Sequence, residues 1–458
     1  MLGTNSSKGT WDVAVIGGGL AGLTAAAKLA RGGLRVGLFE QSKHLGGRAM
    51  TQVEKDIHFN LGAHALYVRG HAAATLKEIG VSFTGKHPSA ATGLVLFQGE
   101  LYPLPGSLRA LLTSRFLGMR EKWRLARLLG SLPSIDPKPL MTTPVSEWLK
   151  HVAGQGALAK LLGGLIRLST YGNDPDYQSA GTAIEQVQLA FGGNVWYLDG
   201  GWQTLVNGLR QIATDFGAEI ETGRRVTSLT KNGGQVDVRF ADGRTQTVAA
   251  AVIATLPEAA CEILSDSVTA GLRHWMERRR PAQAACLDVA LSRSPDPSGK
   301  FALGLDQPLY YSMHSAVARL APDGVTVLHL MKYFRPEASE SPQQVQAELE
   351  GLLDKVQPGW RSLVLRQRFL PNMCVAASVP RADEGGLAGR PAIDEMGEQN
   401  IFLAGDWVGG EGQLADAAVA SASAVANRLL QLHSKRRQTL ADRETLSKGR
   451  VSDVSVSR

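Results

Sequence analysis

Residues 13–50 read VAVIGGGLAGLTAAAKLARGGLRVGLFEQSKHLGGRAM, and this stretch decides the fold. It begins with a short apolar run typical of a buried strand and continues through a glycine-rich turn into an alanine-rich helix. A second apolar run follows and ends at Glu40. The turn has the spacing G-x-G-x-x-G, formed by Gly17, Gly19 and Gly22. Strand, turn, helix and a second strand ending in an acid together predict a βαβ unit that binds a dinucleotide.

Each part of this unit has a physical role at a pyrophosphate. The glycines let the backbone turn tightly, approach the phosphates without a Cβ and pack the helix against the strand. At Leu20 and Ala21, the exposed N–H groups and the positive end of the helix dipole favour an anion. Glu40, followed by Gln41, can accept hydrogen bonds from both hydroxyls of an unphosphorylated ribose and would repel a 2′-phosphate.

Gly46-Gly47-Arg48 follows shortly after the ribose carboxylate and distinguishes between the possible dinucleotides. The spacing brings the Arg48 guanidinium back to the same pyrophosphate, which suits its planar fork of donors. With this addition, the stretch resembles the opening of the superfamily of flavin-containing amine oxidases, protoporphyrinogen oxidases and phytoene desaturases, whose members bind FAD through this pattern. A plain NAD-dependent dehydrogenase gives Arg48 no role and is the weaker alternative.

The resemblance continues in order along nearly the whole chain. Residues 60–64 resemble the segment under the flavin, 197–202 the glycine-glycine segment before a helix, and 225–229 a strand beside the adenine. Residues 251–257 resemble the returning strand, and 401–406 the C-terminal strand whose acid meets the ribityl chain. The resemblance implies an FAD held without a covalent bond, since no cysteine follows Cys374. The further FAD contacts that it implies are Gly62, Ala63, His64, Val226, Asp406, Gly412 and Leu414.

The expected fold class is α/β, with a Rossmann-type FAD-binding domain like that of glutathione reductase interleaved with an α+β substrate-binding domain. We expect the FAD-binding domain to be discontinuous and to comprise residues 11–85, 195–290 and 396–432. The substrate-binding domain would comprise a mostly helical excursion, 90–190, and a mixed one, 291–395, which meet over the flavin. Residues 433–458 carry seven Lys or Arg against three Asp or Glu, and this polar composition predicts a disordered tail.

The composition agrees with two interleaved domains and argues against several other classes. With 458 residues, 44% of them hydrophobic, the chain can bury two cores, and no apolar run approaches the ~20 residues of a membrane helix. The polar N-terminal segment has no secretory h-region, and Cys261, Cys286 and Cys374 lack C-x-x-C spacing. We therefore expect a cytoplasmic location and no metal site. We also expect no nucleic-acid partner, because no basic face is interleaved with aromatic residues.

A basic segment at residues 107–130 reads SLRALLTSRFLGMREKWRLARLLG and carries five arginines and one lysine against a single acid, Glu121. Its leucines and Phe116 can share an apolar face, with the basic side chains elsewhere. One interpretation is a pair of lid helices with a solvated charged face. The other is a surface that rests on anionic lipid and makes a peripheral contact with a membrane. The sequence does not indicate the oligomeric state.

The later motifs distinguish the branches of the superfamily. Amine oxidases commonly place a lysine on the strand expected at 282–292 and an aromatic pair at the flavin, but this strand has no lysine, and 405–416 contains Trp407 and no tyrosine. Gly405-Asp406-Trp407 is similar to the G-D-W of carotenoid-type desaturases, and 410–416 resembles a porphyrinogen-oxidase stretch.

The resemblance therefore implies an FAD-dependent oxidoreductase that removes two electrons, as hydride to the flavin N5, from a bulky apolar or polycyclic substrate. The expected chemistry is that of a protoporphyrinogen oxidase or a carotenoid desaturase. A flavin amine oxidase is one alternative. A non-catalytic escort protein of the same fold is an alternative of another class.

No catalytic side chain is assigned from the sequence, because the flavin itself supplies the chemistry in this class. Candidates for the wall of the cavity are His64, Trp202, Tyr311, Lys332 and Trp407. His64 and the two tryptophans lie in segments expected near the flavin, where packing is the alternative role of a large aromatic ring. Tyr311 and Lys332 lie in the second excursion, where the substrate wall is expected.

Overall fold

The computed structural model describes residues 11–89, 93–191, 194–397 and 400–452. The first segment contains β1 (Val13–Ile16), α1 (Leu20–Arg31), β2 (Val36–Glu40), β3 (Thr51–Glu54), β4 (Ile57–Asn60), β5 (Leu66–Tyr67), α2 (His71–Glu78) and β6 (Gly85–Lys86). The second contains β7 (Gly93–Phe97), β8 (Glu100–Pro103), α3 (Leu108–Thr113), α4 (Met119–Ser131), α5 (Val145–Ala153), α6 (Ala157–Thr170) and α7 (Ala180–Ala190).

The rest of the chain continues this alternation of strands and helices. Its first part contains β9 (Val195–Leu198), α8 (Gln203–Asp215), β10 (Glu219–Thr222), β11 (Val226–Asn232), β12 (Gln235–Phe240), β13 (Thr245–Val248), β14 (Ala250–Ile253), α9 (Pro257–Leu264) and α10 (Ala270–Arg278). Its last part contains β15 (Ala282–Leu291), β16 (Phe301–Gly304), β17 (Leu309–Met313), β18 (Thr326–Tyr333), α11 (Pro342–Val356), β19 (Val364–Ala376), β20 (Ile401–Leu403) and α12 (Ala415–Ser452).

A five-stranded parallel sheet has the strand order β10-β2-β1-β14-β20. Its strands come from residues 11–85, 195–290 and 396–432, the three pieces expected for the nucleotide-binding domain. β1 and β14 at its centre are apolar and buried along their whole length, because parallel strands are covered on both faces. α1, α8 and α12 cover one face, and the antiparallel sheet β11-β12-β13 packs on the other.

A seven-stranded sheet has the order β19-β15-β18-β17-β16-β7-β8. β15 pairs with β18 and β19 of this sheet, so the expected boundary at residue 290 lies too late and β15 belongs to the second sheet. β7 and β8 also join it, so the excursion expected to be mostly helical contributes two strands. The reason is pairing across long sequence distances, which local periodicity does not report. α11 packs against one face and buries Leu349 and Leu353 there, together with Trp360 from the turn that follows the helix.

The C-terminal helix α12 extends further than the sequence suggested. We expected a disordered tail from residue 433, but α12 continues to Ser452, so this expectation is wrong for residues 433–452. Residues 433–448 contain neither proline nor glycine and are rich in Lys, Arg, Gln, Leu and Glu, which favour a helix. The remainder of the expected tail, 453–458, and the N-terminal residues 1–10 lie outside the described residues. Among the described residues, no helix combines the length and apolarity needed to cross a membrane.

Candidate active site

A cavity of about 630 Å³ lies between the carboxyl ends of β1, β2 and β14 and one face of the seven-stranded sheet. The carboxyl ends of parallel strands are where open α/β sheets bind their ligands. One end of the cavity, here called the nucleotide end, is lined by Gly17, Gly18, Gly19, Leu20, Ala21, Glu40, Gln41, Gly47, Arg48 and Val226. The opposite end, here called the substrate end, is lined by Tyr67, Tyr171, Met331, Leu370 and Met373.

The three glycines of the first turn have different reasons to lack a side chain. Gly17 has a φ of +107°, and a Cβ there would lie 2.5 Å from the carbonyl oxygen of Ala254. A Cβ on Gly22 would lie 1.9 Å from the Gly17 carbonyl oxygen. Gly19 is different, because its Cβ would have no protein atom nearer than 3.9 Å, although Gly19 lines the cavity. Packing thus requires Gly17 and Gly22, whereas Gly19 opens the cavity wall at the helix terminus.

The start of α1 offers unpaired backbone donors at this wall. Gly19 precedes the helix and has no side chain to cap it, and the first N–H groups of a helix have no partner within the helix. The Gly46 N–H donates to the Gly18 carbonyl at 2.8 Å, and a Cβ on Gly47 would lie 3.6 Å from the Gly19 Cα. The loop that carries Arg48 therefore lies against the glycine turn, and both loops face one anion-binding position.

Glu40 ends β2 beside the same turn. Its Oε2 accepts a hydrogen bond from the Gly18 N–H at 2.7 Å, and its Oε1 accepts one from the Ser42 N–H at 2.7 Å. Glu40 lines the cavity, and each carboxylate oxygen can accept a further hydrogen bond. Val226 of β11 lines the cavity near this carboxylate, as the resemblance implied. The position suits a ribose whose two hydroxyls donate to one acid.

Arg48, at the nucleotide end, forms an ion pair with Asp406, which also lines the cavity. Arg48 Nη2 donates to Asp406 Oδ1 at 2.6 Å, and Nη1 donates to Asp406 Oδ2 at 2.7 Å and to the Val375 carbonyl at 3.0 Å. Burial would raise the pKa of Asp406, but Arg48 and the Ala377 N–H lower it below its ordinary value. A guanidinium has five N–H donors, so two donors of Arg48 remain for a phosphate.

The substrate end is apolar and its polar atoms are already paired. The Tyr67 hydroxyl donates to the Ser169 carbonyl at 2.9 Å, and the Tyr171 hydroxyl donates to the Ala63 carbonyl at 3.0 Å. Burial raises the pKa of both hydroxyls, so both stay protonated. Between the two ends, the His64 ring meets the edge of the Trp202 ring, with centroids 4.9 Å apart. Burial lowers the pKa of His64, which keeps its imidazole neutral.

The family model described as "Flavin containing amine oxidoreductase" matches residues 20–430. The chain belongs to this family. A putative flavin-containing monoamine oxidase AofH of Mycobacterium tuberculosis is 27% identical over 323 residues, which cover 66% of this chain and 70% of the relative. A 4,4'-diaponeurosporene oxygenase of Staphylococcus aureus is 24% identical over 261 residues, 48% of this chain and 50% of the relative.

Solved structures show the same fold in this family. A putrescine oxidase variant has a TM-score of 0.74 at 15% identity, with 92% of this chain and 99% of that chain covered. A putative protoporphyrinogen oxidase from Exiguobacterium has a TM-score of 0.66 at 19% identity, with 92% and 98% covered. The protein is thus an FAD-dependent oxidoreductase with a Rossmann-type nucleotide domain. The open wall at Gly19, the uncapped helix and the two remaining donors of Arg48 fit the pyrophosphate of FAD.

Three predicted cavity residues of this flavin oxidoreductase lie elsewhere. Tyr311 donates its hydroxyl to the Gly299 carbonyl at 2.9 Å, and Lys332 donates to Glu348 Oε2 at 2.7 Å on α11. Both therefore face α11, because successive residues of a strand point to opposite faces and Met331 takes the cavity side. Trp407 is buried behind the nucleotide sheet. It stacks on the ring of Trp275 and donates a hydrogen bond to the carbonyl of Thr255. Periodicity alone did not tell which face of each strand meets the cavity.

Some of the other predicted FAD contacts line the cavity, and others lie behind its wall. Ala63, His64, Trp202, Asp406 and Leu414 line the cavity. Gly22, Gly62 and Gly412 do not line it, but each allows a close approach behind the wall. Gly62 has a φ of +83°, and a Cβ there would lie 2.9 Å from Met373 Cε. Gly412 has a φ of +67°, and its carbonyl accepts a hydrogen bond from Arg390 at 2.8 Å.

Asp416 is a carboxylate of the cavity wall that the sequence did not lead us to assign. It lies in the first turn of α12, lines the cavity, and accepts the Ala72 N–H on Oδ1 at 2.7 Å, while its Oδ2 has no hydrogen-bond partner among the described residues. Burial raises the pKa of Asp416 to about 6. One sequence signal could have identified Asp416. It ends the segment that resembles a porphyrinogen-oxidase stretch, and an alanine-rich run follows it.

A buried polar cluster supports the cavity wall from below. Asp288 of β15 accepts His329 Nδ1 on Oδ1 at 2.5 Å, Cys286 Sγ on the same oxygen at 3.1 Å, and Arg368 Nε on Oδ2 at 3.0 Å. The Cys, Asp and His ligand atoms lie within 4.8 Å of one another, but the Arg368 ion pair already neutralises the carboxylate. Burial would raise the pKa of Asp288, but His329 and Arg368 lower it.

The cluster reaches the wall through Asn60. Arg368 donates to the Asn60 carbonyl, and Asn60 Oδ1 accepts the backbone N–H of Trp202 at 3.0 Å and the Thr51 hydroxyl at 2.7 Å. A continuous set of hydrogen bonds therefore joins β15 of the second sheet to Trp202. Sequence reasoning did not assign these residues, because they come from distant strands and carry no local motif.

Proposed function

We propose that this enzyme removes two electrons from a bulky apolar or polycyclic substrate, with chemistry of the protoporphyrinogen-oxidase or carotenoid-desaturase type. The observation that carries the proposal is the composition of the substrate end. Met331, Leu370 and Met373 line it together with two tyrosines whose hydroxyls are bonded to backbone carbonyls. An apolar wall with its polar atoms paired binds an apolar molecule by burial and offers no group to an ionic one.

The charged groups of the cavity support the same proposal. Its carboxylates among the described residues are Glu40, Asp406 and Asp416. Glu40 lies beside the glycine turn, Asp406 is paired with Arg48, and Asp416 begins α12. None belongs to the strands of the seven-stranded sheet that form the substrate end. An ammonium substrate held against these strands would lose its hydration without gaining a counter-ion from them.

The chain positions the reactants and excludes water from the site of reaction. The flavin, when bound, accepts the two electrons at its isoalloxazine ring. Trp202 and His64 pack edge to face in the wall between the two ends of the cavity. A neutral His64 adds no charge there, and the apolar side chains exclude water from the reacting carbon. The substrate end thus selects for hydrophobic shape, and no side chain is assigned to acid–base catalysis.

Amine oxidation is the second candidate function. The similarity to AofH, whose name describes a monoamine oxidase, over 66% of this chain favours it. The apolar substrate end favours the first candidate, and so does the similarity to a diaponeurosporene oxygenase. A deprotonated, largely hydrocarbon amine would meet the same wall, so substrate tests must include one.

Anaerobic flavin reduction tests the proposal. The purified holoenzyme is mixed without oxygen with a porphyrinogen, a carotenoid polyene in detergent, or benzylamine, and the flavin absorption band at about 450 nm is followed. Rapid bleaching by one of the first two supports the proposal, whereas bleaching by benzylamine alone contradicts it. Admission of air then shows whether oxygen is the acceptor, because an oxidase regains the band rapidly and a desaturase needs another acceptor.

A matched pair of variants on β19 tests the substrate wall. Leu370 lines the cavity, and Leu365 on the same strand is exposed. Leu370→Asp introduces a carboxylate into the apolar wall and should lower the reduction rate by an apolar substrate at least about 100-fold. Leu365→Asp should leave that rate within about twofold. FAD stoichiometry, measured in parallel, separates a substrate effect from loss of the cofactor.

We also propose a cytoplasmic location for the enzyme. The three cysteines are unpaired, and Cys286 is buried in the second sheet. Free thiols are typical of a reducing compartment. Fractionation of the source cells, with immunodetection of the full chain, tests the location. Recovery from a secreted or periplasmic fraction would contradict it.

A further inference from the structure

α3 and α4 expose an unusual set of large apolar side chains. Leu108 and Leu112 of α3 are 72% and 60% exposed, and Met119 and Trp123 of α4 are 75% and 71% exposed. Within each helix the two residues are four positions apart, so they lie side by side on one face. Four of the ten exposed large hydrophobic residues in the described chain therefore fall within residues 108–123.

The two helices are firmly held, so this exposure belongs to a fixed surface. Leu111, Leu117 and Leu125 are buried with leucines of α6 and of β16. Lys122 of α4 donates to the carbonyl of Leu112 at 2.8 Å, which ties the end of α3 to the first turns of α4. The two exposed apolar pairs thus share one side of the molecule, here called the α3–α4 surface.

Basic side chains surround the apolar pairs. Arg109, Arg115, Arg120, Arg124 and Arg127 are exposed, and among the described residues none of them forms an ion pair. The nearby acid, Glu121, instead accepts hydrogen bonds from the backbone N–H groups of Gly118 at 3.0 Å and Leu158 at 3.1 Å. The surface therefore keeps a net positive charge, because the single carboxylate of Glu121 offsets only one of the five arginines.

We propose that the α3–α4 surface docks on the headgroup region of a bilayer rich in anionic phospholipid, with Leu108, Leu112, Met119 and Trp123 inserted among the acyl chains. Basic residues beside an apolar face match both layers of such a membrane, the anionic headgroups and the hydrocarbon beneath them. A second copy of the chain fits poorly, because a two-fold contact would place these arginines against one another. Nucleic acid fits poorly as well, because three of the four inserted side chains are aliphatic and offer no ring for base stacking. The proposal does not depend on the identity of the substrate.

Vesicle binding by the full-length holoenzyme tests the proposal. The protein is sedimented with vesicles of phosphatidylcholine alone, and with vesicles that contain about one third phosphatidylglycerol. We expect binding to the anionic vesicles, at least about tenfold weaker binding to the neutral ones, and a further decrease on addition of salt. Equal binding to both vesicles, or to neither, overturns the proposal.

Two variants separate the charged from the apolar contribution. Arg120→Glu/Arg124→Glu/Arg127→Glu should weaken binding to anionic vesicles by at least about 100-fold, since each basic residue near the headgroups contributes. Its control reverses three exposed arginines elsewhere, Arg210, Arg239 and Arg293. Leu112→Ala/Trp123→Ala should weaken binding at least about tenfold, against a control that truncates the exposed Val53 and Phe216. Losses equal to those of the controls overturn the proposal.

Trp123 supplies a direct readout of insertion. Of the eight tryptophans, Trp123 is 71% exposed, whereas the other seven are buried or partly buried. Its emission should shift to the blue on addition of anionic vesicles, and Trp123→Phe should abolish the shift while binding persists. Light scattering after size exclusion completes the test. A dimer that Leu112→Ala/Trp123→Ala converts to a monomer, with no blue shift on vesicles, would assign the surface to a second copy and overturn the proposal.

Discussion

At the nucleotide end of the cavity, the glycine turn and Glu40 present backbone N–H groups and a carboxylate, whereas at the substrate end Met331 and Leu370 present apolar side chains. The first end depends on backbone geometry, since a Cβ at Gly17 or Gly22 would meet a carbonyl oxygen. The second depends on side chains that strands can exchange without a change of path. This difference explains how relatives named for amines and for carotenoids share one fold with this chain.

The largest expected effect comes from Arg48, which lies at the nucleotide end and is paired with Asp406. Arg48→Ala removes the phosphate donors and leaves a carboxylate that is 3% exposed without its partner. We expect FAD affinity to fall by at least about 100-fold, since charge-assisted hydrogen bonds to a phosphate are worth about 1.5–3 kcal/mol each. Calorimetric titration of the apoprotein with FAD measures it. The unpaired Asp406 carboxylate should separately lower the thermal stability of the apoprotein.

A double variant separates these two effects. Arg48→Ala/Asp406→Asn removes the unpaired charge and should recover much of the thermal stability, but it should not restore FAD binding. Wild-type cofactor stoichiometry in Arg48→Ala would show that the guanidinium has no role at the cofactor.

Asp416 lines the cavity and acts electrostatically on Tyr67, and its pKa gives a pH-dependent effect of intermediate size. Burial raises its pKa in the folded protein to about 6, above the ordinary value of 3.8. The folded apoprotein therefore binds this proton more tightly than the unfolded chain does. The free energy of unfolding should decrease by up to about 3 kcal/mol as the pH rises from about 4 to about 6, and stay level above that range.

Chemical denaturation at several pH values measures this contribution. Asp416→Asn should remove this part of the decrease, whereas Asn at the exposed Asp323 should leave the wild-type profile unchanged. An Asp416→Asn profile that is parallel to the wild type between pH 4 and 6 would contradict the assignment of this proton.

A smaller effect distinguishes two glycines of one motif. Gly19→Ala places a Cβ where no protein atom lies nearer than 3.9 Å, so the apoprotein should melt within a degree or two of wild type, about 0.5 kcal/mol. FAD affinity should fall roughly 10- to 100-fold, because the Cβ projects toward the pyrophosphate position. Gly17→Ala should destabilise the apoprotein itself, since its φ is +107° and its Cβ would meet Ala254. Equal melting temperatures for the two variants would remove the distinction.

The nucleotide end was predictable because its parts are close together in the chain. The glycine turn, Glu40 and Arg48 fall within residues 13–50, where spacing alone specifies a strand, a turn and a helix. The pairing of Arg48 with Asp406 was not foreseen, since 358 positions separate the two residues and each was assigned a separate contact with the cofactor.

The substrate end was harder to predict, for reasons that Lys332 and Tyr311 illustrate. Both lie on the strands expected to form the wall, but a strand presents alternate residues to opposite faces, and the register that turns Met331 to the cavity depends on pairing with β15 and β17. The cluster around Asp288 likewise joins three strands, β15, β18 and β19. No local sequence pattern predicts that these strands are neighbours.

The smallest expected effect concerns Cys374, which lines the cavity beside the Arg48–Asp406 pair. A thiol in this position is close enough to the cofactor site to raise the question of a covalent bond. Burial raises the pKa of Cys374, which keeps it as the unreactive thiol. We therefore expect acid precipitation of the holoenzyme to release all of its FAD into the supernatant, and Cys374→Ser to keep wild-type stoichiometry. Flavin that stays with the precipitated wild type, and is released from Cys374→Ser, would identify Cys374 as a covalent attachment point.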